Sequence, residues 1–386
     1  MVETFDLSRG PGGPRVRASR FAPPDGAAEV HLCLMPGAPA AFPRQLAELE
    51  EAYSAALGEL GLEEQSVVVR RLFLSDAANQ EERLAASPLA RRRADNPAAL
   101  SIVEQPPLPE GRVALWAYHL QEGGKGPAKE ARPGGVLVRS GGRVHLWTTE
   151  LPPRRTLAEA DPAAQTREIF ADYMTELAAA GATLADHVVR TWIFVDAVDL
   201  NYGKMVKARR ELFAREGLTE ETHYIASTGI AGRRADPRRI VTVEGYAVPG
   251  LRAEQVRHLE APAMLGPTSA YGVTFERGTR IDLGDRRHLF ISGTASIDNR
   301  GEVLHRGDVR AQAERTFANI EALLADGGAG FADLAQMVVY LRDPADREPV
   351  AAYLEEHFPR TPRILVHAPV CRPGWLIEVE CWATLA

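Results

Sequence analysis

Cysteine is scarce. Cys33, Cys371 and Cys381 are the only three in 386 residues, an odd number and far too few for a disulfide scaffold. A reducing, cytoplasmic setting is therefore expected. Long apolar runs are also lacking: no stretch reaches the roughly 18 residues of a membrane span. The opening residues MVETFDLSRGPGG do not have the basic-then-apolar layout of a secretory leader. Positive charge is not in excess, with 45 Lys+Arg against 52 Asp+Glu and a net charge of −7. A nucleic-acid partner, which needs clustered cations to neutralise phosphates, is thus not expected. Nor is the chain poor in apolar residues; at 45% hydrophobic and 25% charged it is composed as a folded protein of two or three domains. No spacing of His, Cys, Asp or Glu makes a metal site. No GxGxxG or P-loop stands in a strand–turn–helix setting. Ser227-Thr228-Gly229 lacks the flanking glycines of a nucleophile elbow. No metal and no cofactor is implied.

What is present is a pattern that occurs three times. An amphipathic helix is followed by a turn and an apolar, β-branched strand ending in Asp. The helices are expected over 42–60, 166–180 and 309–325, and the strands over 67–76, 188–196 and 336–343. Apolar residues at spacings of three and four, such as Phe317, Ile320, Leu323 and Leu324, make one face that must lie on a sheet. A second helical stretch follows, then a unit-closing strand with an aromatic residue: Tyr118, Tyr246 and Trp382, which lie 42, 50 and 39 positions beyond Asp76, Asp196 and Asp343. The reading is α+β, with three modules over 1–124, 125–254 and 255–386. Gly- and Pro-rich segments at 121–127 and 249–250 mark the boundaries. The first module is expected to be degenerate, because 11–24 is rich in Gly and Pro and its opening hairpin patterns poorly.

The third module carries Leu289–Ala295 (LFISGTA), Gly307-Asp308-Val309, a helix with Gln312 and Asn319-Ile320, and Val339–Asp343. It ends with Arg363 followed fifteen positions on by Glu378. In these residues it resembles the reactive-intermediate deaminase (Rid, or YjgF-type) family. The resemblance implies mixed sheets with helices on one face and, since Rid proteins are homotrimers with clefts between subunits, a covalent pseudo-trimer, monomeric or weakly self-associating. The middle module carries Arg190-Thr191-Trp192, Tyr202, Arg209, Phe213 and Ala226–Gly232 (ASTGIAG). Together with Leu365-Val366-His367 and Glu378 eleven positions beyond, these resemble the chorismatase family, which uses a Rid-like fold to split chorismate into pyruvate and a cyclic acid. This resemblance covers roughly 185–386, and the first module only in outline. Where chorismatases carry a Tyr-Gly-Pro-Arg-like segment, this chain reads Leu265–Tyr271 (LGPTSAY), so an arginine for a substrate carboxylate comes from elsewhere or the substrate differs.

Glu378 is the leading catalytic candidate. On a strand it shares a face with Glu380. A carboxyl in a partly buried cleft has its charged form disfavoured and holds a proton near neutral pH, as protonation of an enol-ether methylene requires. Aligning the closing aromatics places Thr242 and Ala114 at its position, so only the third module carries the acid. By the resemblance, Cys371 and Gly293 are the pair found in chorismatases that form 3-hydroxybenzoate, the hydrolysing ones having Ala at both. Arg363 matches the Rid carboxylate anchor; Arg372, Arg277 and Arg190 are further candidates for binding a carboxylate substrate through the guanidinium fork. Ser292 and Gly293, at a strand end, place backbone amides where ligand oxygens could approach, and Tyr271 matches a cleft-lining Rid tyrosine. The charge-dense segment 280–288 reads as a solvated turn. His223, His305 and His367 read as satisfied or exposed histidines. Three functions follow: a chorismatase-like lyase or hydrolase acting on a small carboxylate, a Rid-type imine or enamine deaminase, and a non-enzymatic carboxylate-binding module.

Overall fold

The computed structural model describes residues 1–10 and 12–386; Pro11 and the Tyr271 side chain lie outside the described residues. Three six-stranded mixed sheets are built one after another. The first runs β1 (Glu3–Asp6), β2 (Arg15–Phe21), β3 (Ala28–Met35), α1 (Phe42–Glu59), β4 (Val67–Leu74), α2 (Ala77–Ala85), β5 (Ala99–Glu104) and β6 (Val113–Gln121). The second runs β7 (Ala128–Arg132), β8 (Gly135–Ser140), β9 (Arg143–Leu151), α3 (Pro162–Ala179), the single turn α4 (Leu184–His187), β10 (Val188–Val195), α5 (Val198–Arg215), β11 (Ala226–Ala231) and β12 (Val241–Ala247). The third runs β13 (Val256–His258), β14 (Gly278–Asp282), β15 (Arg287–Ala295), α6 (Val309–Asp326), β16 (Leu334–Leu341), α7 (Arg347–His357), β17 (Arg363–His367) and β18 (Ile377–Leu385).

Strand order is the same in all three. A meander (β1-β2-β3, β7-β8-β9, β13-β14-β15) pairs through its last strand with the closing strand, and the two remaining strands lie beyond it. The first module therefore has its opening hairpin: β1 pairs β2 from Glu3 with Arg20 to Asp6 with Arg17. Residues 15–21 of that Gly/Pro-rich stretch form β2 itself. Local chemistry sets the helices. Asp161 and Asp308 accept from the amides of Ala164 and Ala311, both at 3.0 Å, as N-caps. All four 18-residue helices stop at a glycine with positive φ: Gly61 (63°), Gly181 (72°), Gly217 (80°) and Gly328 (80°). The central strands β4, β10 and β16 are buried along their whole length, one face under helices and the other against neighbouring modules.

The modules close into a ring. Edge strand β5 packs on β9 of the second module, β11 on β15 of the third, and β17 on β3 of the first. Register confirms the equivalence: each central strand has an irregularity at the same place, between Val67 and Val69, Val188 and Arg190, and Leu334 and Gln336. Tyr118, Tyr246 and Trp382 pair with the residue following it and meet in the common core, with Tyr118 and Trp382 ring centroids 5.0 Å apart and Tyr246 and Trp382 at 6.4 Å. Residues 280–288 are not a solvated turn throughout. They form the β14–β15 hairpin, and Arg286 and His288 are buried on Glu29 at 3.1 and 2.8 Å. Among the described residues no helix is long and apolar enough to cross a membrane.

Candidate functional site

Threefold repetition produces three inter-module clefts, and they differ in chemistry. Ala114, Thr242 and Glu378 occupy one register position, opposite Phe73, Phe194 and Tyr340. Only the cleft where β11 of the second module covers β15 of the third holds the acid. It is sealed by the Ser227 amide donating to Ser292 Oγ (2.9 Å) and the Ala231 amide donating to the Pro369 carbonyl (3.1 Å).

Glu378 is 3% exposed. Burial, reinforced by the nearby Glu380 carboxylate and opposed by Arg190, pushes its carboxyl up to about 8. Arg190 is already committed: it donates to Glu380 at 2.7 Å, and Trp192 Nε1 donates to the other Glu380 oxygen at 2.8 Å. Glu380 is thus paired and Glu378 is not, although both lie on one face of β18. Among the described residues the Glu378 carboxyl has no ion-pair partner.

Gly293 is required for this arrangement. A Cβ there would lie 2.0 Å from Glu378 Oε1 and 3.1 Å from Thr228 Cγ2. Across the cleft, a Cβ on Gly229 would meet the Tyr202 ring at 2.9 Å. The two glycines, one from each module, make room for an acid and a phenol. Gly293→Ala is expected to displace the Glu378 carboxyl and to shift the pH at which it titrates; an unchanged titration would show that the carboxyl relocates freely. The amides of Ser292 and Gly293 are not available to a ligand, contrary to expectation, because they donate to the Arg277 carbonyl (3.0 Å) and to Thr228 Oγ1 (2.9 Å). Ser292 Oγ is likewise spent, donating to the Glu276 carbonyl at 2.6 Å.

Cys371 is half-buried and interacts with the Tyr202 hydroxyl. Burial and the adjacent Glu378 raise its thiol to about 12, so it is a neutral, weakly polar wall rather than a thiolate nucleophile. Tyr202 is likewise raised well above its ordinary value by burial and stays a donor.

The guanidinium facing this cleft is Arg209, which the sequence marked only through the chorismatase resemblance. It is 1% exposed; Nε donates to Thr274 Oγ1 (3.1 Å), Nη1 lies 3.5 Å from Ser227 Oγ, and among the described residues buried Nη2 has no acceptor. A sequence signal existed: Arg209 sits on the same buried face of α5 as Met205, Leu212 and Phe213, where an unpaired cation is out of place. Arg363 is elsewhere. Its partner on β16 is Met337, and the equivalent pairing in the second module is Thr191 with Ser227. The acid-bearing cleft therefore has Ser227 where the other has Arg363, and Arg363 lies between the third and first modules, bonded to Glu355 at 2.6 Å. A spacing of fifteen along the chain does not bring Arg363 and Glu378 together, since their side chains face different neighbours. Arg277 donates to the Gly266 carbonyl at 2.9 Å, and the Arg372 guanidinium lies 5.5 Å from the Trp375 ring centroid, next to Cys371. Tyr271 falls in the segment 268–271 before Arg277, its side chain outside the described residues. Among the described residues no group of three His, Cys, Asp or Glu could hold a metal ion. His223 and His367 each make one hydrogen bond to a backbone carbonyl, His223 also packing on the His258 ring at 4.7 Å, and His305 is exposed.

Known proteins resemble the chain in sequence and in fold. The profile of the family described as endoribonuclease L-PSP matches residues 281–385. The 3-aminoacrylate deaminase RutC of Acinetobacter baylyi is 30% identical over 93 residues, 24% of this chain and 74% of that protein. A chorismatase of Streptomyces rapamycinicus is 26% identical over 218 residues, covering 50% of this chain and 63% of that one. A chorismatase crystal structure superposes with a TM-score of 0.61 at 20% identity, covering 83% of this chain and 93% of the other. The chain belongs to the Rid (endoribonuclease L-PSP) family, and its three-module fold is that of a chorismatase.

Proposed function

We propose that the chain is a chorismatase-like enzyme that cleaves the enolpyruvyl ether of chorismate. The observation that carries this reading is the buried Glu378 carboxyl, raised to about 8 and facing the module that supplies Arg209. An acid that keeps its proton at neutral pH suits protonation of a weakly basic enol-ether methylene. Glu378 gives its proton to the methylene carbon, and an oxocarbenium ion forms at the ether carbon. Capture by water releases pyruvate and a dihydroxycyclohexadiene carboxylate; capture by the ring hydroxyl leads to pyruvate and 3-hydroxybenzoate with no water consumed. The Glu378 carboxylate left behind is close enough to the cation to stabilise it. Cys371 and Gly293 border the carboxyl and shape the space in which the capture occurs, which supports 3-hydroxybenzoate as the product. Arg209 holds a substrate carboxylate through Nη2, which has no acceptor among the described residues. The third module is then the catalytic one, the second supplies the opposing wall, and the first completes the ring.

Incubation with chorismate, following pyruvate and aromatic absorbance together, tests the reading. Pyruvate with 3-hydroxybenzoate bears it out, pyruvate with a non-aromatic diol acid keeps the enzyme and refutes the product, and no pyruvate overturns both. A second reading, hydrolysis of a 2-imino acid with Glu378 activating water, is favoured by the identity with a deaminase over the third module. Ammonia released from 2-iminobutyrate without pyruvate from chorismate would select it. Arg209→Gln is expected to lower kcat/KM about tenfold or more, since a charged hydrogen bond contributes roughly 1.5–3 kcal/mol. An unaltered KM and kcat would remove Arg209 from the site.

A further inference from the structure

The residues opposite the acid position are not alike in the three modules. Phe73 faces Ala114, Phe194 faces Thr242, and Tyr340 faces Glu378. All three aromatic side chains are buried. A plain phenyl ring therefore satisfies the fold twice at this position, and a hydroxyl is added only in the module that carries the acid. That hydroxyl is buried and has no hydrogen-bond partner among the described residues. A buried polar atom left unpaired destabilises the fold, so packing does not explain it. Its surroundings are charged. Tyr340 interacts electrostatically with Glu380 and Glu378 of β18, with Arg71 of the first module and with Arg190 of the second. Three of these four are engaged: Glu380 with Arg190 at 2.7 Å, and Arg71 with Glu244 at 2.6 Å. That leaves Glu378. β16 and β18 are antiparallel and Tyr340 is paired directly with Glu378, so both side chains leave the sheet on one face, with Cβ atoms about 5 Å apart. Burial and the Glu380 carboxylate raise the phenol well above its ordinary value, so it stays a donor.

We propose that Tyr340 is the positioning residue for ionised Glu378: its hydroxyl donates a hydrogen bond to the Glu378 carboxylate and keeps its own proton. The contact does not depend on which substrate takes the proton from Glu378; its use in catalysis rests on the reaction proposed above. In that reaction a negative charge appears on a carboxyl that burial makes costly to ionise. A donor already stripped of water beside it stabilises that charge without reorganisation. A phenol also bonds a carboxylate more strongly than a neutral acid. The hydroxyl is thus unpaired while Glu378 holds its proton and paired once the proton has left. Phe73 and Phe194 face no acid and need no donor.

Tyr340→Phe tests this, because phenylalanine is the residue that the fold accepts at both equivalent positions. The Glu378 titration is read from stability against pH, between about pH 6 and 10, as the difference between each chain and the same chain carrying Glu378→Gln. The difference cancels the other titrating groups, and Tyr340 is neutral across this range. A hydrogen bond to the ionised form holds a carboxyl down, so Tyr340→Phe should move the titration up from about 8, by about half a pH unit or more. Its unfolding midpoint at neutral pH should equal or exceed that of wild type, since an unpaired buried hydroxyl is removed. With chorismate, kcat should fall about tenfold at unchanged KM, the effect of one hydrogen bond to a charged group. A moved titration in a protein that releases no pyruvate from chorismate upholds the contact and sinks the reaction. An unmoved titration overturns the inference, and with a fall in stability it marks the hydroxyl as structural. An unaltered kcat beside a moved titration removes Tyr340 from the catalytic step.

Discussion

Replacing Glu378 by Gln is expected to lower kcat for chorismate cleavage by roughly 10²–10⁴-fold, the usual contribution of a positioned general acid, while the protein stays folded. Gln matches the carboxyl in size but has no proton to give. In the wild type the acid form is the active one, so kcat should fall as pH rises through about 8, where burial has placed the carboxyl. Stability gives an independent reading of the same group. Its folded value, about 8, lies above the ordinary 4.5, so the folded chain binds more protons than the unfolded one between those values. The stability this contributes is complete below about 4.5 and is lost as pH rises through about 8. By linkage the loss is on the order of a few kcal/mol. Glu378→Gln has no such group, so it should gain thermal stability relative to wild type between pH 6 and 9. Activity retained by the Gln variant would end the general-acid assignment; a stability difference constant with pH would show that the carboxyl is not protonated in the fold.

The second large effect is on assembly of the three modules. Arg71 is 2% exposed in the first module and reaches Glu244 of the second at 2.6 Å and Glu380 of the third at 3.9 Å. Its guanidinium lies 4.7 Å from the Trp192 ring centroid and 5.3 Å from that of Trp116. Trp116, Glu244 and Glu380 hold one register position, so the cluster sits where the ring closes. Arg71→Met keeps most of the volume but breaks the charged hydrogen bond to Glu244, leaving Glu244 to Arg234 at 3.0 Å and Glu380 to Arg190 at 2.7 Å. It is expected to cost roughly 3–5 kcal/mol, seen as a fall in the midpoint of denaturant unfolding. Adding Glu244→Gln should cost less in Arg71→Met than it does in the wild type, because the Arg71–Glu244 pair is already broken, although Arg234 then loses its carboxylate as well. A double variant as unstable as the sum of the two singles would mean that the cluster contributes through packing rather than charge.

The repeat was legible in the sequence because each helix must place an apolar stripe on a sheet and each buried strand must be β-branched along its length. Matching Tyr118, Tyr246 and Trp382 by eye gives the alignment that the strand registers show, with Glu378 aligned to Thr242 and Ala114. The opening hairpin of the first module was not legible, because a glycine- and proline-rich turn hides short strands whose pairing is non-local. Arg286 and His288 were misplaced for a related reason: a dense run of charge is solvated unless another module brings a carboxylate to it, and Glu29 comes from more than 250 positions away along the chain.

By itself the sequence determined the α+β class, the threefold repetition and the presence of a carboxyl at one of three equivalent positions, all properties of periodicity and spacing within a module. Only the tertiary structure decided which groups face one another. Each cleft takes one wall from one module and one from the next, so Glu378 meets Tyr202 of its neighbour, which also supplies Arg209 and Gly229 to that wall, while Arg363, in the same module as the acid, faces the first. Burial decided the rest: the same side-chain types are solvated or held protonated according to what the adjoining module puts over them, and no spacing along one chain records that.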